Sequence, residues 1–433
     1  MRFSFSSIWI LCLFSFGVGC GAKDNSDTAT FRPIQTENAE FWHRQTTVTA
    51  ELMETIVAQF NAENPSLPIE PIYAGNYGEI YRKVTTSIKA KTLPALAVAY
   101  ENMTAEYAQS NAVVELDSWV DHPEFGLSED DINDFFPAML DTNRFTEYDG
   151  ALLSLPFTKS VLVLYYNKRV LKAAGLTTPP KTWEEFITQS KQIKERTGKF
   201  ALSFDVDCST IDGILFSMGG QVMKDGKTQY DSTESIETFE LIEYLFKEKL
   251  AYQNPPGTFN DETDFGNDKI GFILRTSSNR PYLEDLFNDH DAWGIAPLPQ
   301  SDLDNPKTVL YGGSICLFNT TPEQQEAAWK FVRYFTSTEA TVQWALGTGY
   351  LPVRRSAAND PKMQAFWESW PDNRVAFDCL EYAVPEPNIS GWQQIRNRVA
   401  RAATEVISSM STGQDAAIRL KKDADAIISK QRN

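Results

Sequence analysis

Histidine is scarce. The three in this 433-residue chain, His43, His122 and His290, lie far apart and show none of the spacings of a helical zinc motif. Cysteine is scarce too: of Cys12, Cys20, Cys208, Cys316 and Cys379, no two stand at the CxxC spacing of zinc or redox sites, and no disulfide framework is implied. Cys208, Cys316 and Cys379 read as small buried apolar residues. A GxSxG nucleophile elbow is absent, and Gly347-Thr348-Gly349 lacks the third glycine of a dinucleotide loop. Positive charge is in deficit, with 40 Lys and Arg against 58 Asp and Glu, a net charge of −18 and a pI near 4.7. That balance argues against a nucleic-acid surface, which needs concentrated basic residues. It leaves room for a small anionic ligand, because local dipoles and one or two cations can outweigh a distant, screened surface charge. The only long apolar run is Ile8 to Gly19, too short to cross a membrane. There is no internal repeat and no low-complexity tract.

What is present suits a globular protein of two domains. The length exceeds what one core usually supports, and hydrophobic residues at 42% and aromatics at 12% supply enough apolar material for two. Met1-Arg2 before the apolar run has the form of a secretory signal, so residues 1–20 are expected to be a signal segment. Residues 21–36, small and polar, are expected to form a flexible tether of roughly 20 to 25 Å.

Leu52, Met53, Ile56, Val57 and Phe60 at helical spacing predict a helix over 48–60, ended by Asn64-Pro65. A strand over 69–73, a Gly75-Asn76-Tyr77-Gly78 loop, a helix over 79–90 and a strand over 95–100 follow. This alternation indicates an α/β unit with a largely parallel sheet, in which ligands collect at the carboxyl ends of strands. Tyr77 and Glu101 stand at such ends, although on position alone a packed turn tyrosine and a solvated carboxylate are the better explanation. From Asp149 to Phe186 the chain reads as a crossover: a turn, an apolar piece ending at Pro156, the polar Thr158, Lys159 and Ser160, then a β-rich run to Tyr166. Asn167 caps a helix that stops at Gly175 and Pro179-Pro180. Further on, helices are expected over 183–193 and 235–250 and strands over 201–204 and 270–274. The second of those strands delivers Thr276, Ser277 and Ser278, a hydroxyl cluster or simply a helix cap. Trp293 to Pro299 reads as a second crossover and Gly347 to Pro352 as a third, with the closing helices wrapping the second unit. Asp205 and Asp207, on alternate positions of one strand, would share a face and so would not flank a glycosidic bond.

Pro156-Phe157-x-x-Ser160, Tyr165-Tyr166-Asn167-Lys168 and Pro179-Pro180-Lys181-Thr182-Trp183 together resemble the extracellular solute-binding proteins that feed ABC importers. The likeness continues through Phe60 to Pro65, Gly75-Asn76-Tyr77, Tyr100-Glu101, Gly312-Gly313, Thr348 to Pro352 and Gln394-Ile395-Arg396, and covers roughly residues 40 to 430. It implies an α/β, two-lobed periplasmic-binding-protein-like fold of type II. The lobes would be discontinuous, 37–155 with 309–351 and 156–308 with 352–433, joined by hinge crossovers. Within the family the likeness is to glycerophosphate-binding members, which implies capture of sn-glycerol 3-phosphate or a glycerophosphodiester between the lobes and delivery to permease subunits driven by an ATP-binding subunit. No enzyme activity, cofactor or metal is implied, and the place would be the periplasm or cell surface. Gly17-Val18-Gly19-Cys20 is similar to a lipobox, which would make Cys20 a lipid anchor. The resemblance implies ligand contacts at Tyr77, Glu101, Ser160, Thr276 or Ser277, Gly313, Tyr350 and Arg396, with Arg396 holding phosphate through its planar fork. Where that branch has a pair of tryptophans flanking the glycerol, this chain has Phe204-Asp205-Val206-Asp207-Cys208. Asp205 and Asp207, with Lys159 as a compensating cation, could therefore set specificity, and a sugar-binding importer component stays open. So, more distantly, does a carbohydrate-active surface lipoprotein.

Overall fold

The computed structural model describes residues 31–287 and 289–431; the expected signal segment and Cys20 lie outside them. The chain enters with Phe31 buried and Arg32 N–H bonded to the Lys91 carbonyl at 3.0 Å. Residues 31 to 36 are therefore packed on the fold and are not part of a tether. Strand β1 (Ala39–His43) alternates Ala39, Phe41 and His43 inward. Helix α1 (Thr47–Glu63) covers it with Met53, Ile56 and Phe60, and β2 (Ile69–Tyr73) pairs parallel to β1. Asn76 and Glu79 form a reciprocal capping box that starts α2 (Tyr77–Ala90), so Tyr77 is the first residue of a helix rather than a loop residue. The apolar β3 (Leu96–Ala99) runs straight into α3 (Glu101–Ala108), which puts Glu101 at a second helix N-terminus.

The chain leaves this half at β4 (Leu155–Pro156) and, after Phe157, Thr158 and Lys159, enters β5 (Ser160–Asn167). Almost every residue of β5 is buried because both faces are covered. Leu162 and Leu164 pack into one core and Val161, Val163 and Tyr165 into another. Helix α4 (Trp183–Thr197), β6 (Phe200–Phe204), α5 (Cys208–Ser217), α6 (Thr233–Lys247), β7 (Ala251–Gln253), β8 (Ile270–Thr276), β9 (Trp293–Ala296) and β10 (Thr308–Tyr311) follow. The chain then returns through Gly312-Gly313 to β11 (Ser314–Leu317), α7 (Pro322–Phe335) and α8 (Thr338–Thr348), and ends with β12 (Ala383–Pro385), α9 (Trp392–Ile407) and α10 (Gly413–Gln431).

Two main sheets result, β2-β1-β3-β11-β4 and β7-β6-β8-β5-β10-β12, with β9 also paired to β5. This is the expected two-lobed α/β architecture, with two differences. Trp293 to Ala296, read as a crossover, is instead strand β9, antiparallel to β5 within the larger sheet. Residues 309–311 belong to β10 of that same sheet, so the return crossing lies at Gly312-Gly313 and not at 309. The crossings are laced together: Phe157 and Thr158 amides donate to the Gly313 carbonyl at 3.3 and 3.2 Å, and Leu351 N–H donates to the Lys159 carbonyl at 2.7 Å. Gly312 adopts φ +104°, and a Cβ there would stand 1.6 Å from the Thr158 carbonyl oxygen, so only glycine fits this junction. Helices α9 and α10 close over the larger sheet, as expected.

Candidate ligand-binding cleft between the two sheets

The carboxyl end of β1, the N-termini of α2 and α3, and the crossings face the ends of β6 and β8 and the N-terminus of α9 across a cleft. It holds two adjoining chambers that share Tyr100, Arg275, Thr276, Tyr311 and Gly312. One, of about 610 Å³, is lined by Arg44, Tyr77, Ser160, Thr276, Glu262 and Tyr350 among others. The second, of about 240 Å³, is lined by Glu101, Lys159, Asp205, Asp207, Glu386 and Arg396 among others. The sequence-predicted residues are thus brought to one place with two exceptions. Ser277 is buried, and its hydroxyl accepts the Val161 amide at 3.2 Å inside the larger sheet. Gly313 lines neither chamber, because the Tyr77 hydroxyl lies 2.5 Å from where its Cβ would be; Gly312 is the glycine exposed to the cleft.

In the smaller chamber every cation already has an acid. Lys159 Nζ, buried, donates to Glu101 Oε1 at 2.5 Å and to the Gly312 carbonyl at 3.0 Å, while Ser314 also donates to Glu101 at 2.8 Å. Lys159 therefore neutralises Glu101 rather than standing free to offset the two aspartates. Arg275 is held by Asp261 through two bonds of 2.6 and 2.8 Å and by Asp205 at 2.8 Å. Burial raises the Asp205 carboxyl pKa, and the Arg275 charge opposes it. Asp205 and Asp207 lie beyond the end of β6, in the connection to α5, where Asp207 is the N-cap and accepts the Ser209 amide at 2.9 Å. They are not neighbours on a strand face; both nevertheless line the chamber.

Arg396 is the largest departure from expectation. Its guanidinium donates to Glu386, to the Ser209 hydroxyl at 2.9 Å and, more weakly, to Asp207 at 3.4 Å. Glu386 also accepts from Trp392 Nε1 at 3.0 Å. Burial acts against the Glu386 charge, but Arg396 outweighs it and holds the carboxyl below its ordinary range. The fork that the resemblance assigned to phosphate is thus filled by carboxylates. Asp212, behind it, is fully buried among Cys208, Tyr230 and Glu386, and burial pushes its pKa well up.

The larger chamber is different in kind. Thr276 Oγ1 donates to Ser160 Oγ at 2.6 Å, and the Tyr77 and Thr158 hydroxyls are 3.2 Å apart. Tyr77 and Tyr100 stack with centroids 4.1 Å apart. Arg44 lies 5.1 Å over the Tyr77 ring, and Arg396 lies 5.9 Å over Tyr100. Sequence reasoning missed Arg44, Arg275, Tyr311 and Glu386. Arg44 had a signal: it follows directly on β1, and the same strand-end rule that marked Glu101 marks it.

The model of the family described as bacterial extracellular solute-binding protein matches residues 55–373. The chain belongs to this family. This solute-binding protein is the ligand-carrying component of an ABC importer and is a binder, not an enzyme, which sets aside the carbohydrate-active alternative. It is 24% identical over 409 residues to the sn-glycerol-3-phosphate-binding periplasmic protein UgpB of Yersinia pestis bv. Antiqua, covering 90% of this chain and 91% of that one. It is 26% identical to UgpB of Shigella flexneri, covering 93% of each. Among solved structures it resembles UgpB from Mycobacterium tuberculosis in complex with glycerophosphocholine, with a TM-score of 0.80 at 18% identity over 92% of this chain and all of that one. It resembles the cyclic alpha-maltosyl-1,6-maltose binding protein from Arthrobacter globiformis equally well, with a TM-score of 0.80 at 19% identity over 91% of this chain and 99% of that one. These similarities show the type II fold of the solute-binding protein. Its relatives work in the periplasm or outside the cell, with a small-molecule ligand and a permease as partners.

Proposed function

We propose that this solute-binding protein captures sn-glycerol 3-phosphate or a glycerophosphodiester in the cleft and delivers it to its permease. The observation that carries the reading is the convergence of hydroxyl donors on one chamber. Tyr77 and Tyr350 come from the half that holds the smaller sheet, and Ser160 and Thr276 from strands of the larger one. Such donors can turn toward an anionic oxygen, and contacts made from both sides favour the closed form over the open one, as a hinge receptor requires. The names of the relatives at 24 to 26% identity support the same class. On this reading Tyr77, Ser160, Thr276, Gly312 and Tyr350 surround the phosphate, and Glu101, Asp207 and Arg396 meet the glycerol hydroxyls or the head group. An acylated Cys20 would tether the protein to the membrane surface.

A sugar or oligosaccharide ligand is the second reading. It is favoured by the Glu386 and Asp207 partners of Arg396 and by the Tyr100, Tyr311 and Trp392 side chains lining the same chamber, a combination suited to an uncharged polyol. Because Trp392 lines the chamber, intrinsic tryptophan fluorescence discriminates between the two. Glycerophosphocholine is expected to produce a saturable change and maltose none; the reverse would replace the first reading with the second.

A further inference from the structure

We propose that Arg44, and not Arg396, is the anion anchor of the cleft. This inference rests on the glycerophosphate reading above and assigns the group that holds the phosphate. Four cationic side chains line the two chambers: Arg44, Lys159, Arg275 and Arg396. The last three are each bonded to one or two carboxylates. An anion would have to displace those carboxylates or share a guanidinium with them, at the cost of like-charge repulsion.

Arg44 alone among them pairs with no carboxylate among the described residues. Its surroundings are phenols: it lies over the Tyr77 ring at 5.1 Å, and Tyr100 and Tyr350 line the same chamber. Burial works against its charge, but a guanidinium stays protonated at neutral pH, and the π face of Tyr77 attracts it. A partly buried guanidinium faced only by neutral rings has unspent donor capacity, which a planar, bidentate oxyanion can take up.

The rest of the chamber agrees. Tyr77 pairs with Thr158 and Thr276 with Ser160 and Ser278, with no carboxylate among these partners, and each hydroxyl can rotate to donate to an anion. The one carboxylate lining it, Glu262, accepts from Asn279 and has its pKa raised to about 7 by burial and then by Asp261, so it is substantially protonated at neutral pH. The smaller chamber has the opposite character, with Asp207 and Glu386 beside Tyr100, Tyr311 and Trp392. The cleft is therefore polarised along its length: phosphate at Arg44, and glycerol hydroxyls or a cationic head group at the acidic, aromatic end.

The test is calorimetric titration of glycerophosphocholine into the wild-type protein, Arg44→Gln and Arg44→Lys, with a ligand-free melt of each. Arg44→Gln is expected to bind about 10- to 100-fold more weakly, as befits the loss of charged hydrogen bonds, with its ligand-free melting temperature unchanged. Arg44→Lys should recover part of the affinity and the salt dependence that the glutamine variant loses. Wild-type binding together with unaltered binding by Arg44→Gln overturns the assignment of Arg44. No binding by the wild type overturns the glycerophosphate reading itself. If Arg44→Gln melts early, the comparison passes to Arg44→Lys, where a weaker affinity at wild-type melting temperature supports the bidentate anchor and wild-type affinity overturns it.

Discussion

Tyr77 and Tyr100 stack with ring centroids 4.1 Å apart at the meeting of the two chambers, and each ring carries an arginine, Arg44 over Tyr77 and Arg396 over Tyr100. The two arginines have opposite surroundings. Arg396 is clasped by Glu386 and Asp207, whereas Arg44 meets only phenols. One cleft thereby offers an anionic group and a polyol or cationic group different ends.

The Arg396–Glu386 pair makes Arg396 a structural residue as well as a ligand candidate. Arg396→Ala leaves the Glu386 carboxylate buried without its cation, and breaking such a pair costs about 3 kcal/mol. The single variant should therefore unfold at clearly lower denaturant concentration, and Arg396→Met with Glu386→Gln should recover most of the loss. A denaturation curve of Arg396→Ala that overlays the wild type would contradict the pairing.

The hinge depends on one glycine. At φ +104°, with the Thr158 carbonyl oxygen 1.6 Å from the position of a Cβ, Gly312→Ala must shift backbone on both crossing segments. The backbone conformation alone costs about 1–3 kcal/mol. Gly312→Ala is expected to lower the melting temperature and to weaken ligand binding together. Gly150→Ala, at φ +80° with open space around its Cβ, supplies a control that has the backbone strain without the collision.

Much of this was legible in the sequence, for reasons that differ by residue. The β5 run is buried on both faces, so its apolar character shows without regard to register, and the cap Asn167 announces its helix locally, whereas Asn76, read as part of a loop, is the cap of α2. The strand β1 was overlooked because Glu40 and His43 interrupt its apolar character, although Ala39, Phe41 and His43 alternate inward. With it went Arg44. The segment Trp293 to Ala296 reads as a crossover because Pro297 and Pro299 follow it, and its place in the larger sheet is fixed by pairing with β5, more than a hundred residues earlier. Likewise the partner of Arg396 could not be read from spacing: Glu386 is ten residues away across an irregular stretch, and the two meet only because the chain folds back after β12, the edge strand of the larger sheet, to begin α9. Three buried free cysteines, by contrast, needed only composition.

Glu262 gives the cleft a pH dependence of definite sign. Burial chiefly, then the Asp261 and Asp205 charges, raise its pKa from the ordinary 4.5 to about 7, with Arg275 opposing. Between those values the folded state holds more protons than the unfolded one, so this group's contribution to stability falls as pH rises from 4.5 to 7. A phosphodiester, itself not titrating in this range, repels the ionised form when it enters the chamber. Its affinity should decline as pH rises through 7, with proton uptake on binding, and Glu262→Gln should flatten the decline. Titrations in two buffers of different ionisation enthalpy measure the uptake directly; identical heats would show that Glu262 does not face the ligand.

On the proposed function, this importer component selects a glycerophosphate over a neutral sugar. The most direct measurement is a parallel calorimetric titration of the protein with sn-glycerol 3-phosphate, glycerophosphocholine and maltose. Saturable one-to-one binding of a glycerophosphate, with maltose silent, is the predicted result; binding of maltose alone would keep the fold and the importer role and contradict the phosphate site.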